Sequence, residues 1–442
     1  MNNSNQLRFF DFVFLVISLV IGLGIFSTPA KVAALAPNAA VFYGLWILGG
    51  LMALAGALVY AELGTLVPES GAYYKIFSKA YHPSVGFAVN ILIFICNAAS
   101  LGIVCLIGAE YCEDLVGISS KQSWFPVLFS GFCLTLFLWV NLKGLKTSSG
   151  LLNILLLIKL ALMLVLISTL FKSDREVVET TIQPEAHTSA SWLNDPKMLL
   201  ACLIPICFTY GGYQQTINFG NEIRSTRFMR RGILLGILVV IILYLVLNLA
   251  YVHTLGFSQL QGAKAIGATL FSVWFGRFGA QVFDVLVVLS VMAYTNVLLM
   301  SNPLVMHAMA NDGLLPKVFA KQHSQTGART IGLLTFYFIA MMIVFVGKEV
   351  DNIMGFTMFL DSVGMIASAG TLFMIRKKYL ASGGTSSRLS SITPWLVVLY
   401  MVYYTFVASG VIWNDTKAAS IGLLLFVAML LLGFFIQKKE MA

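Results

Sequence analysis

The sequence predicts an all-α membrane protein with about twelve spanning helices, and three observations carry that expectation. Hydrophobic residues make up 59% of the 442 residues and charged ones only 11%, against about 25% charged in an ordinary soluble domain. Apolar runs of about 20 residues, the length that crosses about 30 Å of hydrocarbon, recur from end to end. The charges gather in short clusters between those runs, as they do where the bilayer is the solvent. A mean hydropathy of +0.87 excludes a soluble fold around one buried core.

Taken in order, the apolar runs place spans near 10–35, 40–66, 85–111, 125–142, 151–171 and 198–219. The remaining six fall near 232–255, 278–300, 331–346, 353–375, 394–413 and 419–436. The first run is read as a retained helix. Ala34-Leu35-Ala36 has a small-x-small look, but the preceding apolar stretch is long and its leader carries only Arg8. An even number of spans puts both termini on one side. Eighteen of the 28 Lys and Arg fall on that side, among them Arg8, Lys75, Lys79, Arg227, Arg329 and Lys378. Eight, including Lys121, Lys264 and Lys348, fall opposite, and Lys31 and Lys159 lie within spans. This bias predicts a multi-pass protein of the cell (inner) membrane with both termini cytoplasmic. The opposite side receives an acidic loop, 172–197. It separates a first block of five spans (1–171) from a second (198–380), and 381–442 holds the last two.

The net charge of +9 does not form a basic patch or tail, so no nucleic-acid partner is expected. Cys96, Cys105, Cys112, Cys133, Cys202 and Cys207 follow neither metal spacing nor a disulfide framework, and no metal or cofactor is expected. An enzyme would need a nucleophile–base or metal constellation, but His82, His187, His253, His307 and His323 are scattered over loops and ends. A channel would need a repeated filter or a ring of pore charges, which the sequence lacks.

What stands out instead is a pair of interruptions. The first span concentrates Gly22, Gly24, Ser27, Thr28 and Pro29; the sixth has Pro205 and then Thr209-Tyr210-Gly211-Gly212. These are the first spans of the two blocks, and matching interruptions in two halves point to a transporter's binding site. A broken helix at mid-membrane exposes backbone amides and carbonyls, which is tolerated where they line a cavity. Freed amides at a half-helix N-terminus suit a carboxylate, and freed carbonyls at a C-terminus suit an ammonium. Two such breaks side by side can hold a zwitterion by main chain alone.

Four motifs add a resemblance. Ile21-Gly22-Leu23-Gly24-Ile25-Phe26, with Pro29 and Lys31, resembles the IGSGIF-x-x-P-x-K pattern of amino acid–polyamine–organocation (APC) transporters. The stretch from Ala61-Glu62-Leu63-Gly64 to Tyr74 resembles their AELGTxxPxSGGxY segment. Phe208-Thr209-Tyr210-Gly211-Gly212-Tyr213, with Glu222 beyond it, is similar to the sixth helix of the L-type amino acid transporter branch. Ala308 to Pro316 resembles the AMARDGLLP loop after the eighth helix. The match runs in order from about Asp11 to Lys378.

The resemblance implies a LeuT-type fold of two inverted five-helix repeats plus two peripheral helices, and alternating-access movement of an amino acid. It implies that amides of the first-helix break hold the carboxylate and carbonyls of the first and sixth helices the amino group, which points to Val20, Ile21, Gly22, Leu23 and Gly24 and to Phe208, Thr209 and Gly211, with Phe208 as an aromatic gate. Asn296 resembles an eighth-helix asparagine near the pocket. Lys159, deep in the fifth span, stands where sodium-coupled relatives hold an ion, so it is expected to couple transport as a permanent cation or as a proton carrier. A lysine at such depth costs roughly 2.5–3.5 kcal/mol on insertion scales, so a role is expected of it. The sequence departs from the pattern at Leu23 (usually serine), Tyr213 (usually tryptophan) and Leu304 (usually arginine).

Leu23, Ile25 and Phe208 favour neutral substrates. Asp361 in the tenth span, where relatives have a neutral residue, leaves a cationic amino acid or polyamine as the alternative, or else is an acid bonded to neighbouring hydroxyls. Asp284 is expected to be solvated at the outer end of its span. The expected partners are an amino acid, the lipid bilayer and protons; exchange and proton-coupled uptake both remain open.

Overall fold

The long apolar runs form helices because, in hydrocarbon, a backbone amide must find its partner within its own segment. The computed structural model describes residues 6–117, 124–171, 196–263, 266–346, 350–383, 392–414 and 416–440. The expected acidic loop lies outside the described residues except for its last two positions, as do Lys121, His187, Lys264 and Lys348.

The first predicted span is two helices, α1 (Phe9–Val20) and α2 (Gly24–Leu35), bent by 40° at the break between them. Then follow α3 (Ala39–Leu66), the short α4 (Ala72–Ala80), α5 (Pro83–Val116), α6 (Phe125–Leu142) and α7 (Leu145–Ser168). The sixth predicted span is helical as α8 (Pro196–Tyr210) and continues, after Gly211–Gly212, as the 3-10 turns Tyr213–Asn218 and Gly220–Glu222. After it come α9 (Thr226–Leu255), α10 (Phe257–Gly262), α11 (Ile266–Phe275) and α12 (Gly279–Asn311). The chain ends with α13 (Thr330–Val346), α14 (Val350–Ala381), α15 (Thr393–Asn414) and α16 (Thr416–Glu440).

Among the described residues nine helices are long and apolar enough to span a membrane, and the bent pair α1–α2 makes a tenth. The other two predicted spans are α13, whose apolar part is shorter, and α8, which stops at its break. Three short helices, α4, α10 and α11, are not legible in the sequence as separate elements. Each is too brief for a span and sits beside a longer apolar run. The eighth span is longer than predicted and runs through Pro303, because Ser301, Asn302 and Pro303 are all buried against neighbouring helices rather than ending the segment.

The broken helices lie inside the bundle. α1 packs on α9 and α7, α2 on α8 and α10, and α8 also on α3 and α15. α5 is flanked by α12, α13 and α16. α16 is peripheral, with most of its spanning window exposed. Its exposed residues include Leu423, Leu424, Leu431 and Phe435, an apolar face suited to lipid.

At one end of the bundle the loops are locked together. Leu7 N–H donates to the Glu222 carbonyl (2.8 Å), and Gly71 N–H to that of Asn218 (2.9 Å). Arg329 Nη2 meets Glu222 Oε1 at 2.7 Å, and Ser70 Oγ donates to the same carboxylate. Lys75 pairs with Asp312 at 2.5 Å, Tyr74 donates to the same carboxylate, and Lys79 pairs with Glu69. Lys378 caps the Lys79 carbonyl (2.6 Å), and Ser84 bonds Gln437 of α16 (3.2 Å). Every basic side chain named here belongs to the set that charge counting assigns to one side.

Candidate functional site

The site begins with the orphaned groups of the first break. Ile21 N–H still reaches the Ile17 carbonyl (2.8 Å), but Ile21 is extended at ψ 90° and Gly22 N–H turns back to the Val20 carbonyl (2.9 Å). The helix then restarts at Gly24 with Leu23 as its N-cap, and Leu23 supplies no capping side chain. Phe26 N–H turns back to the Leu23 carbonyl (3.0 Å), so the Gly24 and Ile25 amides are the ones without a cap, at the positive end of the α2 dipole.

The carbonyls freed at the end of α1 are claimed by two buried side chains. Lys159 Nζ, fully buried, donates to the Ile21 carbonyl at 2.7 Å. The Tyr244 hydroxyl, on α9, lies 3.2 Å from the Val20 carbonyl and 3.3 Å from that of Thr209. It thus ties the first broken helix to the second. Tyr244 is invisible to motif reading, because a tyrosine in an apolar span reads as packing until its hydroxyl has a partner.

The second break is built on two glycines. Gly211 N–H closes on the Phe208 carbonyl (3.2 Å) and ends α8. Gly212 takes φ +102°, and a Cβ there would stand 2.2 Å from the Leu19 carbonyl, so neither its backbone nor its neighbour admits a side chain. Across the junction Gly24 faces Thr209, whose Oγ1 would be 2.8 Å from a Cβ at Gly24. Thr209 Oγ1 donates to the Pro205 carbonyl (2.8 Å) and lies 2.9 Å from Thr28 Oγ1. The two interruptions are in direct contact.

Between them lies a cavity of about 130 Å³. The first break contributes Val20, Gly22, Leu23 and Gly24, and the second Phe208, Thr209, Gly211 and Gly212. The rest of the lining is more polar than the motifs suggest. It holds Asn97 and Ser100 of α5, Gln214 and Gln215 of the 3-10 turn, Tyr294 of α12, and Thr357 and Asp361 of α14. Asn97, Ser100 and Val104 follow one another at helical spacing on one face of α5, as do Thr357 and Asp361 on α14. That periodicity of polar residues in apolar spans is the signal that could have found them. Gln215 Nε2 donates to Asn97 Oδ1 (3.3 Å), and Asn97 in turn to Asn302 (2.9 Å).

Leu23 shares a face of α2 with Ser27 and Lys31, both exposed. Phe208 is 40% exposed beside the cavity rather than folded over it. Toward the other end, Asn218, Ser301 and Glu222 are buried, and Glu222 pairs with Arg329.

Several expected residues stand elsewhere. Asn296 does not line the cavity. Its amide donates to the Ser148 carbonyl (2.8 Å) and its Oδ1 accepts from Asn141 (2.9 Å), pinning α12 to α6 and α7. Ile21 and Ile25 are fully buried, and Lys159 reaches the site only through the Ile21 carbonyl. Asp284, expected to be solvated, is 7% exposed. All six cysteines are free, five of them buried, and no group of His, Cys, Asp or Glu that could hold a metal ion occurs among the described residues.

The chain matches the amino acid permease family over residues 7–435. It is 26% identical to the serine/threonine exchanger SteT of Bacillus subtilis (strain 168) over 435 residues, covering 96% of this chain and 95% of that protein. It is 23% identical to the human large neutral amino acids transporter small subunit 2, covering 96% of this chain and 79% of the relative. It is 22% identical to the human cystine/glutamate transporter, covering 82% and 72%. With a family match over nearly its whole length and two broken helices meeting at one cavity, the chain belongs to the amino acid permease family.

Proposed function

We propose that this permease is a secondary active transporter that carries an amino acid across the cell membrane by alternating access, with both termini in the cytoplasm. The single observation that carries the reading is the contact of the two broken helices around one cavity. Free amides at the α2 N-terminus suit the α-carboxylate, and the carbonyls of Phe208 and Gly211 at the end of α8 suit the α-ammonium. Relatives described as a serine/threonine exchanger and as a transporter of large neutral amino acids support the same class of substrate. The two five-span blocks, 1–171 and 198–380, act in this reading as inverted repeats. The locked end, rich in lysine and arginine, is its cytoplasmic side.

Lys159 serves as the coupling cation. It donates to the carbonyl at the break, at the negative end of the α1 dipole, so any change in its charge or position is felt at the substrate's binding groups. Uptake by purified protein in proteoliposomes, measured with a panel of radiolabelled amino acids, tests the class; accumulation of none of them overturns it. Lys159→Ala is expected to change both the rate of that uptake and its pH dependence, and a wild-type rate with a wild-type pH profile would remove Lys159 from the coupling role.

A further inference from the structure

Asp361 is a carboxylate set in the wall of a membrane cavity with no cation to neutralise it. Among the described residues no lysine, arginine or histidine nitrogen comes within 4.0 Å of it. Lys159, the other ionisable group deep in this part of the bundle, is turned away to the Ile21 carbonyl. Asp361 is met by Gln214, whose Nε2 donates to Oδ1 at 3.2 Å. The orientation of that amide is fixed, because Gln214 Oε1 accepts the Gly212 N–H at 2.9 Å. The NH₂ end must therefore point at Asp361, which makes Asp361 an acceptor at that oxygen. One donor leaves most of its acceptor capacity free.

The surroundings match this polarity. Asn97, Ser100, Gln215 and Tyr294 line the same cavity. The breaks that would take the α-carboxylate and α-ammonium line the same cavity, and Gln214 bridges Gly212 of the second break to Asp361, so a substrate held at the breaks has Asp361 within reach of its side chain.

We infer that Asp361 and Gln214 form a side-chain subsite for a primary ammonium group, so that the preferred substrate is an amino acid with a cationic side chain. The inference rests on the amino acid carrier reading above and departs from the neutral substrate expected of Leu23, Ile25 and Phe208. Of those three, Ile25 does not reach the cavity, while Leu23 and Phe208 remain to pack the aliphatic stem. An ammonium docked on Asp361 forms a charge-assisted hydrogen bond and supplies the missing counter-charge.

The test uses ligand pairs that differ only by the terminal amine: lysine against norleucine, and ornithine against norvaline. Binding to the purified full chain is read by calorimetry and by ligand-induced thermal stabilisation. The wild type is expected to bind the cationic member of each pair at least tenfold more tightly. That ratio should collapse to about one or invert in Asp361→Asn, and persist in Asp361→Glu. Tighter wild-type binding of norleucine than of lysine, or an equal ratio in wild type and Asp361→Asn, overturns the subsite and leaves the carrier reading intact. Binding of no member of either pair overturns both. The wild-type comparison decides the matter even if a variant fails to fold.

Discussion

At the residue scale, the site depends on what is missing as much as on what is present. Leu23 supplies no capping side chain, so the Gly24 and Ile25 amides at the start of α2 have no cap from it. Gly22 has open space where a Cβ would go, whereas a Cβ on Gly24 would stand 2.8 Å from Thr209 Oγ1. The two glycines of one motif therefore have different tasks: Gly22 keeps the cavity open and Gly24 lets the two breaks touch. Gly24→Val is expected to abolish substrate binding by pushing α2 off Thr209. Leu23→Ser is expected to retain or tighten binding, since its hydroxyl would stand beside the carboxylate and can donate to it. Equilibrium binding of the preferred substrate to both variants checks the pair; loss with Leu23→Ser but not with Gly24→Val would reject the assignment.

At the scale of elements, the two half-helices are held by side chains from other helices. Tyr244 of α9 reaches the Val20 and Thr209 carbonyls, and Lys159 of α7 reaches that of Ile21. A buried carbonyl left unpaired in hydrocarbon is costly, so these two side chains are what makes the breaks tolerable. Tyr244→Phe keeps the ring, which packs on Trp46 and Tyr210, and removes only the bridge. We expect a loss of about 0.5–1.5 kcal/mol, seen as a lower melting temperature, together with slower uptake as the breaks lose their shared tie. An unchanged melting temperature and uptake rate would mean that the hydroxyl contributes nothing to either break.

These elements also mark the limit of motif reading. Both interruptions are legible in the sequence, because glycine and proline clustered within an apolar run weaken the helix at that point and nowhere else along it. Gln214 and Tyr294 are not legible, since neither belongs to a polar stripe and a single polar residue in a span gains meaning only when its helix face is known. Asn296 matches a family position yet braces α12 against α6 and α7, because Asn141 and the Ser148 carbonyl lie within its reach.

At the scale of the whole molecule, ion pairs tie the loops at one end together. The lock centres on Glu222 and Arg329, both largely buried, with Ser70 completing the carboxylate's hydrogen bonds. Removing one partner of such a pair costs about 3–5 kcal/mol, because the other charge remains buried without compensation. Arg329→Gln is therefore expected to open this end more often. In a Ser301→Cys background, whose probe lies buried between the cavity and the lock, a thiol reagent added from the locked face should react at least several-fold faster. An unchanged reaction rate would show that the pair does not hold this end closed.

The sequence by itself determined the membrane-spanning helical class, the order of the spans, the two broken helices and the side on which the basic residues gather. These follow from properties the chain carries locally: hydropathy over about 20 residues, the backbone freedom of glycine and the placement of charge. Only the tertiary structure decided which polar residues line the cavity, that Tyr244 and Lys159 satisfy the breaks, and that Asp361 has no counter-charge among the described residues. Those facts depend on distances between helices far apart in the chain, and no local pattern encodes them. In a membrane they matter more than in water, because a buried polar group must be satisfied by another part of the protein.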